Sequence, residues 1–110
     1  MNIGIAIRSV RRQSGMPQFE LAEKCGISQT SLSQIENGAK RPSVRTLKSI
    51  CDILDVPESI IYILGMQETD VPASRKKAYD MLFPSIRSMA LQIVSKEHRE
   101  LVEHDEAFVW

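Results

Sequence analysis

The sequence predicts an all-α fold, a five-helix domain over residues 1–65 followed by a helical extension. Three observations predict it. Apolar residues recur three and four positions apart in successive short stretches, the spacing of one helix face. Glycines close these stretches while proline or serine opens them, at Gly15/Pro17, Gly26/Ser28 and Gly38/Pro42-Ser43. A chain of 110 residues is long enough for one core and an appendage, not two full domains.

Taken in order, Ile3, Ile7 and Val10 mark the first helix, with Arg8, Arg11 and Arg12 around it and Gly15 as its left-handed terminator. Pro17 suits the first turn of a second helix, whose buried stripe is Leu21, Ala22 and Cys25. Gly26 supplies a tight turn and Ser28 caps a third helix, with Ile27 and Leu32 spaced for a hydrophobic staple. After Gly38, Pro42 and Ser43 start a fourth helix in which Val44, Leu47, Cys51 and Leu54 follow 3-4-3 spacing. A short isoleucine-rich fifth helix spans 58–64 and ends at Gly65. Residues 66–72 (MQETDVP) read as a linker. Helical spacing resumes over 73–83, Pro84 breaks or restarts it, and Ile86, Met89, Ala90, Ile93 and Val94 continue an apolar stripe. The extension thus covers 73–110, closing on Phe108-Val109-Trp110, either a docking anchor or a frayed end. There is no internal repeat and no low-complexity tract.

The formal net charge is zero, but its distribution is uneven. Residues 1–45 hold seven Lys/Arg against three acids, net +4, whereas 46–65 and 66–110 are each net −2. One basic end suits a molecule that docks on phosphates. Cys25 and Cys51 have no metal-ligand spacing and sit at apolar helical positions, so both are expected in the core. No apolar run reaches the roughly 18 residues of a membrane span and no leader pattern opens the chain, so a cytoplasmic protein is expected. His98 and His104 are six apart in an acidic tail, without HExxH geometry, and read as solvated. No phosphate loop or nucleophile triad is present; no enzyme activity, metal or cofactor is expected.

The third helix is unusual. With Leu32 and Ile35 pointing inward, Thr30, Ser33, Gln34 and Asn37 fall on the far side and Gln29 at the flank. That face contains no Lys, Glu, Asp or Arg, the residues that exposed helices favour, and its Ser, Thr and Asn are poorer helix formers. Amides and hydroxyls are the groups that read base edges, and nine residues rising roughly 13 Å match a major groove about 12 Å wide.

The run Q-x-x-LA-x-x-x-GIS-x-x-x-LS-x-IENG-x-x-x-P, within residues 3–64, resembles the helix-turn-helix domain of phage repressors, Cro proteins and their bacterial relatives (lambda-repressor-like, xenobiotic-response-element family). The resemblance implies that Gln29, Thr30, Ser33 and Gln34 contact bases. It implies phosphate contacts for Gln18, Ser28, Asn37, Lys40 and Arg41, and a partly buried structural ion pair between Arg11 and Glu36. Three positions depart from the family pattern: Pro17 replaces a Ser/Thr cap, Phe19 stands at a polar position, and Arg45 replaces an acid in the first turn of the fourth helix. Phe19 either shields Gln18 or, as we expect, covers neighbouring apolar surface. Arg45, unfavourable at a helix N-terminus, is a phosphate contact or a solvated side chain.

The reading that follows is a sequence-specific transcriptional regulator, most simply a repressor on a palindromic operator in double-stranded DNA. One recognition helix reads only a few base pairs, so a homodimer through residues 73–95 is expected; packing on the domain and a heterologous partner are the other uses of that segment. The alternative function is an antitoxin whose C-terminal segment binds a toxin while the helix-turn-helix autoregulates.

Overall fold

The computed structural model describes residues 1–95, and it is helical throughout its regular elements. Helix α1 spans Ile3–Gln13, α2 Gln18–Cys25, α3 Gln29–Glu36, α4 Val44–Leu54, α5 Glu58–Gly65 and α6 Lys76–Ile93. Two 3-10 turns, Glu68–Asp70 and Ala73–Arg75, lie between α5 and α6. The all-α architecture is the one expected from the sequence.

Local chemistry sets the boundaries. The α1 terminus is a Schellman turn: Gly15 sits at φ 71°, Gly15 N–H donates to Arg12 O at 3.0 Å and Met16 N–H to Arg11 O at 3.2 Å. Gly26, at φ 70°, repeats the motif after α2, with Ile27 N–H on Ala22 O at 3.0 Å. This turn sets the angle at which α3 leaves α2. Ser28 and Ser43 cap α3 and α4 by accepting from Ser31 N–H (3.0 Å) and Thr46 N–H (3.1 Å). Pro17 lies one residue outside α2 rather than in its first turn, and no side chain caps that helix.

Ile7, Leu21, Leu32, Ile35, Ile50 and Ile61 are fully buried and form the centre of the core. Helix α1 packs along α5 and across α3, and α2 bridges α3 and α4. The approach of α1 to α3 requires Gly4, because a Cβ there would meet the Ile35 and Glu36 carbonyl groups.

Several expectations need correction. Pro84 neither breaks nor restarts the last helix; α6 runs through it, and the extension up to Ile93 is one long helix. The proline is exposed, so water can serve the carbonyl that loses its N–H partner. Val44 is 86% exposed, because it occupies the first turn of α4 before that helix meets the core. Cys51 is buried, but Cys25 is only half-buried at the end of α2. Phe19 is 59% exposed and stands outside the core cluster. The connecting segment 66–72 needs no correction as a linker, and it is bonded to the start of the chain: the Met1 ammonium donates to Gln67 Oε1 at 3.1 Å and to Asp70 Oδ1 at 2.8 Å. His98, His104 and Phe108-Val109-Trp110 lie outside the described residues.

Helix α6 packs on α5 and touches α1, burying Ala90 and half-burying Phe83, Leu91 and Val94. On the adjacent flank Leu82, Ile86, Met89 and Ile93 stay exposed, with Leu82 and Ile86 also lining a cavity shared with Ile63 and Met66.

Candidate nucleic-acid interface

The interface is built outward from a buried charge. Glu36, at the end of α3, is 1% exposed, and Arg11 of α1 is 9% exposed. Arg11 Nε donates to Glu36 Oε2 at 2.7 Å and Nη2 to Oε1 at 2.9 Å, a two-pronged pairing. Arg11 Nη1 also donates to Met16 O at 3.0 Å, so one guanidinium ties together α1, α3 and the turn before α2.

Gln18, the first residue of α2, is the next link. Its Nε2 donates to Glu36 Oε1 at 3.2 Å, and its Oε1 accepts from Gln29 Nε2 at 3.4 Å. An ionised carboxylate only accepts, so the Gln18 amide must turn its NH2 towards Glu36 and its oxygen towards α3. The orientation of a surface amide at the start of α3 is thereby set by a buried carboxylate two links away. Among the described residues no buried side-chain nitrogen or oxygen lacks a partner.

Gln29, Thr30 and Gln34 are exposed on α3 and Ser33 is half-buried beside them. Leu32, Ile35 and Glu36 are the buried side. The eight residues of α3 rise about 12 Å, the width of a major groove. The loop after α3 is folded by its own side chains: Asn37 Oδ1 accepts from Ala39 N–H at 3.0 Å, and Lys40 N–H donates to Gln34 O at 3.1 Å. Lys40 Nζ reaches back to Ser31 Oγ at 3.2 Å, which places its ammonium beside α3. Ser28, Asn37, Lys40, Arg41 and Arg45 are all exposed, and among the described residues Arg41 and Arg45 make no salt bridge. The structure therefore brings Gln18 and Gln29 together and Lys40 against α3, while among the described residues the side chains of Thr30, Ser33, Gln34, Arg41 and Arg45 make no hydrogen bond or salt bridge.

Neither thiol belongs to this surface. Burial, followed by the nearby Glu58 and Asp52 carboxylates, pushes the Cys51 thiol up to about 11. Burial also raises Cys25, against a hydrogen bond with Ser49 that lowers it. No cluster among the described residues can hold a metal ion, and no helix there is long and apolar enough to cross a membrane.

The profile of the helix-turn-helix family HTH_3 matches residues 7–61, the stretch from mid-α1 to α5. The chain belongs to this family. It is 30% identical over 104 residues to the HTH-type transcriptional regulator SinR of Bacillus licheniformis, covering 93% of this chain and 90% of that one. It is 29% identical over 89 residues to the ImmF control region 10 kDa protein of Bacillus phage phi105, 81% and 93% of the two chains. The immunity repressor protein of the same phage is 33% identical over 61 residues, 56% of this chain and 42% of that one, so the chain spans less than half of that repressor. This HTH_3 protein is a DNA-binding transcriptional regulator with repressors among its relatives. The likeness to SinR runs beyond the family domain into the extension.

One member of the charged junction was missed in the sequence. Arg8 Nε lies 3.8 Å from Glu36 Oε1, with the Arg8 side chain 39% exposed. Its position three residues before Arg11, on the same face of α1, is the signal that would have found it.

Proposed function

We propose that this HTH_3 protein is a repressor that binds a palindromic operator as a homodimer, each copy placing α3 in the major groove. Gln29, Thr30, Ser33 and Gln34 read base edges; Gln18, Ser28, Asn37, Lys40, Arg41 and Arg45 engage phosphates and fix the register. The observation that carries this reading is the uncharged outer face of α3, headed by a Gln29 amide oriented through Gln18 and Glu36. Cations lie beside that face rather than on it, the separation expected when affinity comes from phosphates and discrimination from bases.

The homodimer rests on the exposed side of α6. Leu82, Ile86, Met89 and Ile93 follow 4-3-4 spacing, the seam period of paired helices. The positions flanking that seam are Ala78, Phe83, Ser85, Ala90 and Gln92, none charged, so two identical helices can face one another without like-charge repulsion. A two-fold pair would read half-sites about 34–36 Å apart.

Selection of sites from a random duplex pool at near-physiological salt tests the reading, with molar mass measured by light scattering alongside. A palindrome with half-sites one turn apart is expected, and Ile86→Lys should lower both the molar mass and the affinity for the full palindrome. A wild-type protein that is monomeric at micromolar concentration and selects no palindrome would refute the dimer. Co-purification of wild-type protein with a small neighbour-encoded protein that shields α6 would give the seam to a toxin-like partner instead.

A further inference from the structure

The Arg11–Glu36 junction holds one more cation than it can use. Glu36 supplies a single negative charge, and Arg11 occupies both of its oxygens at 2.7 and 2.9 Å. Gln18 takes a further site on Oε1 at 3.2 Å. Arg8 Nε approaches the same Oε1 only to 3.8 Å, outside hydrogen-bond range. Two guanidinium groups share one carboxylate, so the junction is left with a net charge of +1. The surplus sits on Arg8, the exposed member, whose side chain keeps 39% of its surface in solvent while that of Arg11 keeps 11%. No hydrogen bond from its guanidinium is formed among the described residues.

Position gives that surplus a use. Arg8 and Gln18 meet the same carboxylate oxygen, and Gln18 in turn holds Gln29 at the start of α3. The Arg8 guanidinium is therefore beside the first residue of α2, where the docking proposed above lays the DNA backbone. We propose that Arg8 is an additional phosphate ligand of the interface, resting on that docking: it is held near its place by Glu36 and offers its free fork of N–H donors to the phosphodiester beside Gln18. A guanidinium fork takes a phosphate through two parallel bonds, which an ammonium cannot do. The phosphate also supplies the negative charge that the junction lacks.

The test is a salt series on two duplexes, the selected operator and an unrelated sequence, for wild type, Arg8→Gln, Arg8→Lys and, as a known cation on the loop, Lys40→Gln. Each phosphate neutralised contributes about 0.9 to the slope of log K against log salt. Arg8→Gln should lower that slope by about 0.9 and weaken both duplexes equally, by about eightfold at 0.1 M salt. Arg8→Lys should keep the slope and bind between the two. Ethylation of operator phosphates gives an independent readout: interference at one backbone position should be present with wild type and absent with Arg8→Gln. An unchanged slope for Arg8→Gln beside a steep wild-type slope would overturn the proposal, and so would a loss confined to the operator. A wild type that binds neither duplex would fail at the earlier step, the docking itself, and take the proposal with it.

Discussion

Replacing Glu36 by Gln tests the buried junction most directly. The substitution keeps the shape and removes the charge. Arg11, 9% exposed, then loses its carboxylate partner, and the new NH2 group faces the Arg11 and Gln18 donors instead of accepting from them. Breaking one side of a buried pair costs about 3–5 kcal/mol. Arg8 pushes the value towards the upper end, because the change leaves two cations facing each other without an anion between them. For a domain of this size each kcal/mol lowers Tm by about 4–8 °C, so a fall of about 12 °C or more is expected. Urea unfolding followed by helical circular dichroism gives the free energy. The companion variants Arg11→Met and Arg11→Met/Glu36→Met complete a double-mutant cycle, and the double variant should cost less than the sum of the singles. A loss below about 1 kcal/mol for Glu36→Gln would mean that water reaches the carboxylate and that the burial argument is wrong.

Gln34→Ala should cost roughly 1–3 kcal/mol on the selected operator and little on unrelated DNA; equal losses on both would remove Gln34 from the base readers. Cys51, its thiol pushed up to about 11 by burial, should resist a thiol reagent at pH 8 in the native protein and react once urea unfolds it, with Cys25 reacting first. The sign is that of an acid kept protonated by folding: the stability this gives is complete below the ordinary thiol value of 9.0 and is lost as pH rises through about 11. Rapid native labelling of Cys51 would contradict it. Gly4→Ala should lower stability by at least about 1–3 kcal/mol, since the new methyl meets backbone carbonyls of α3 that no rotamer change can clear; a near-neutral thermal melt would show that α1 can shift at no cost.

The helix order was legible because short helices need strong punctuation, and here Gly15, Gly26, Ser28 and Ser43 each supply a specific backbone bond. The outer face of α3 was legible for a similar reason: its period fixes which residues face out once Leu32 and Ile35 face in. Pro84 misled because propensity describes an interior proline in isolation, whereas here it lies on an exposed face of a helix packed along α5 and α1, where water can replace the lost bond. Val44 misled because period alone ignores where along a helix the core begins. The Gln18–Gln29 bond joins two helices across a turn, and no spacing rule reports it; for the approach of Arg8 to Glu36 the sequence shows only that Arg8 shares a face of α1 with Arg11.

A buried ion pair is a poor way to gain stability, since apolar residues of the same volume often serve as well or better. Its place here is better accounted for by what it orients. The groups on α3 proposed to read bases are neutral, so on that proposal discrimination depends on which end of each amide faces outward, not on charge. Glu36 decides that for Gln18, and Gln18 decides it for Gln29. The Arg11→Met/Glu36→Met variant separates the two roles. If the junction matters only for folding, a variant that melts near the wild-type temperature will read DNA as the wild type does. If it orients the amides, that variant will lose some affinity for all DNA through Gln18 and Arg8 but more for the operator, so the ratio of operator to unrelated binding falls. The second outcome is the one the hydrogen-bond directions require, because without an acceptor at position 36 the Gln18 amide is free to flip and present the wrong atom to Gln29.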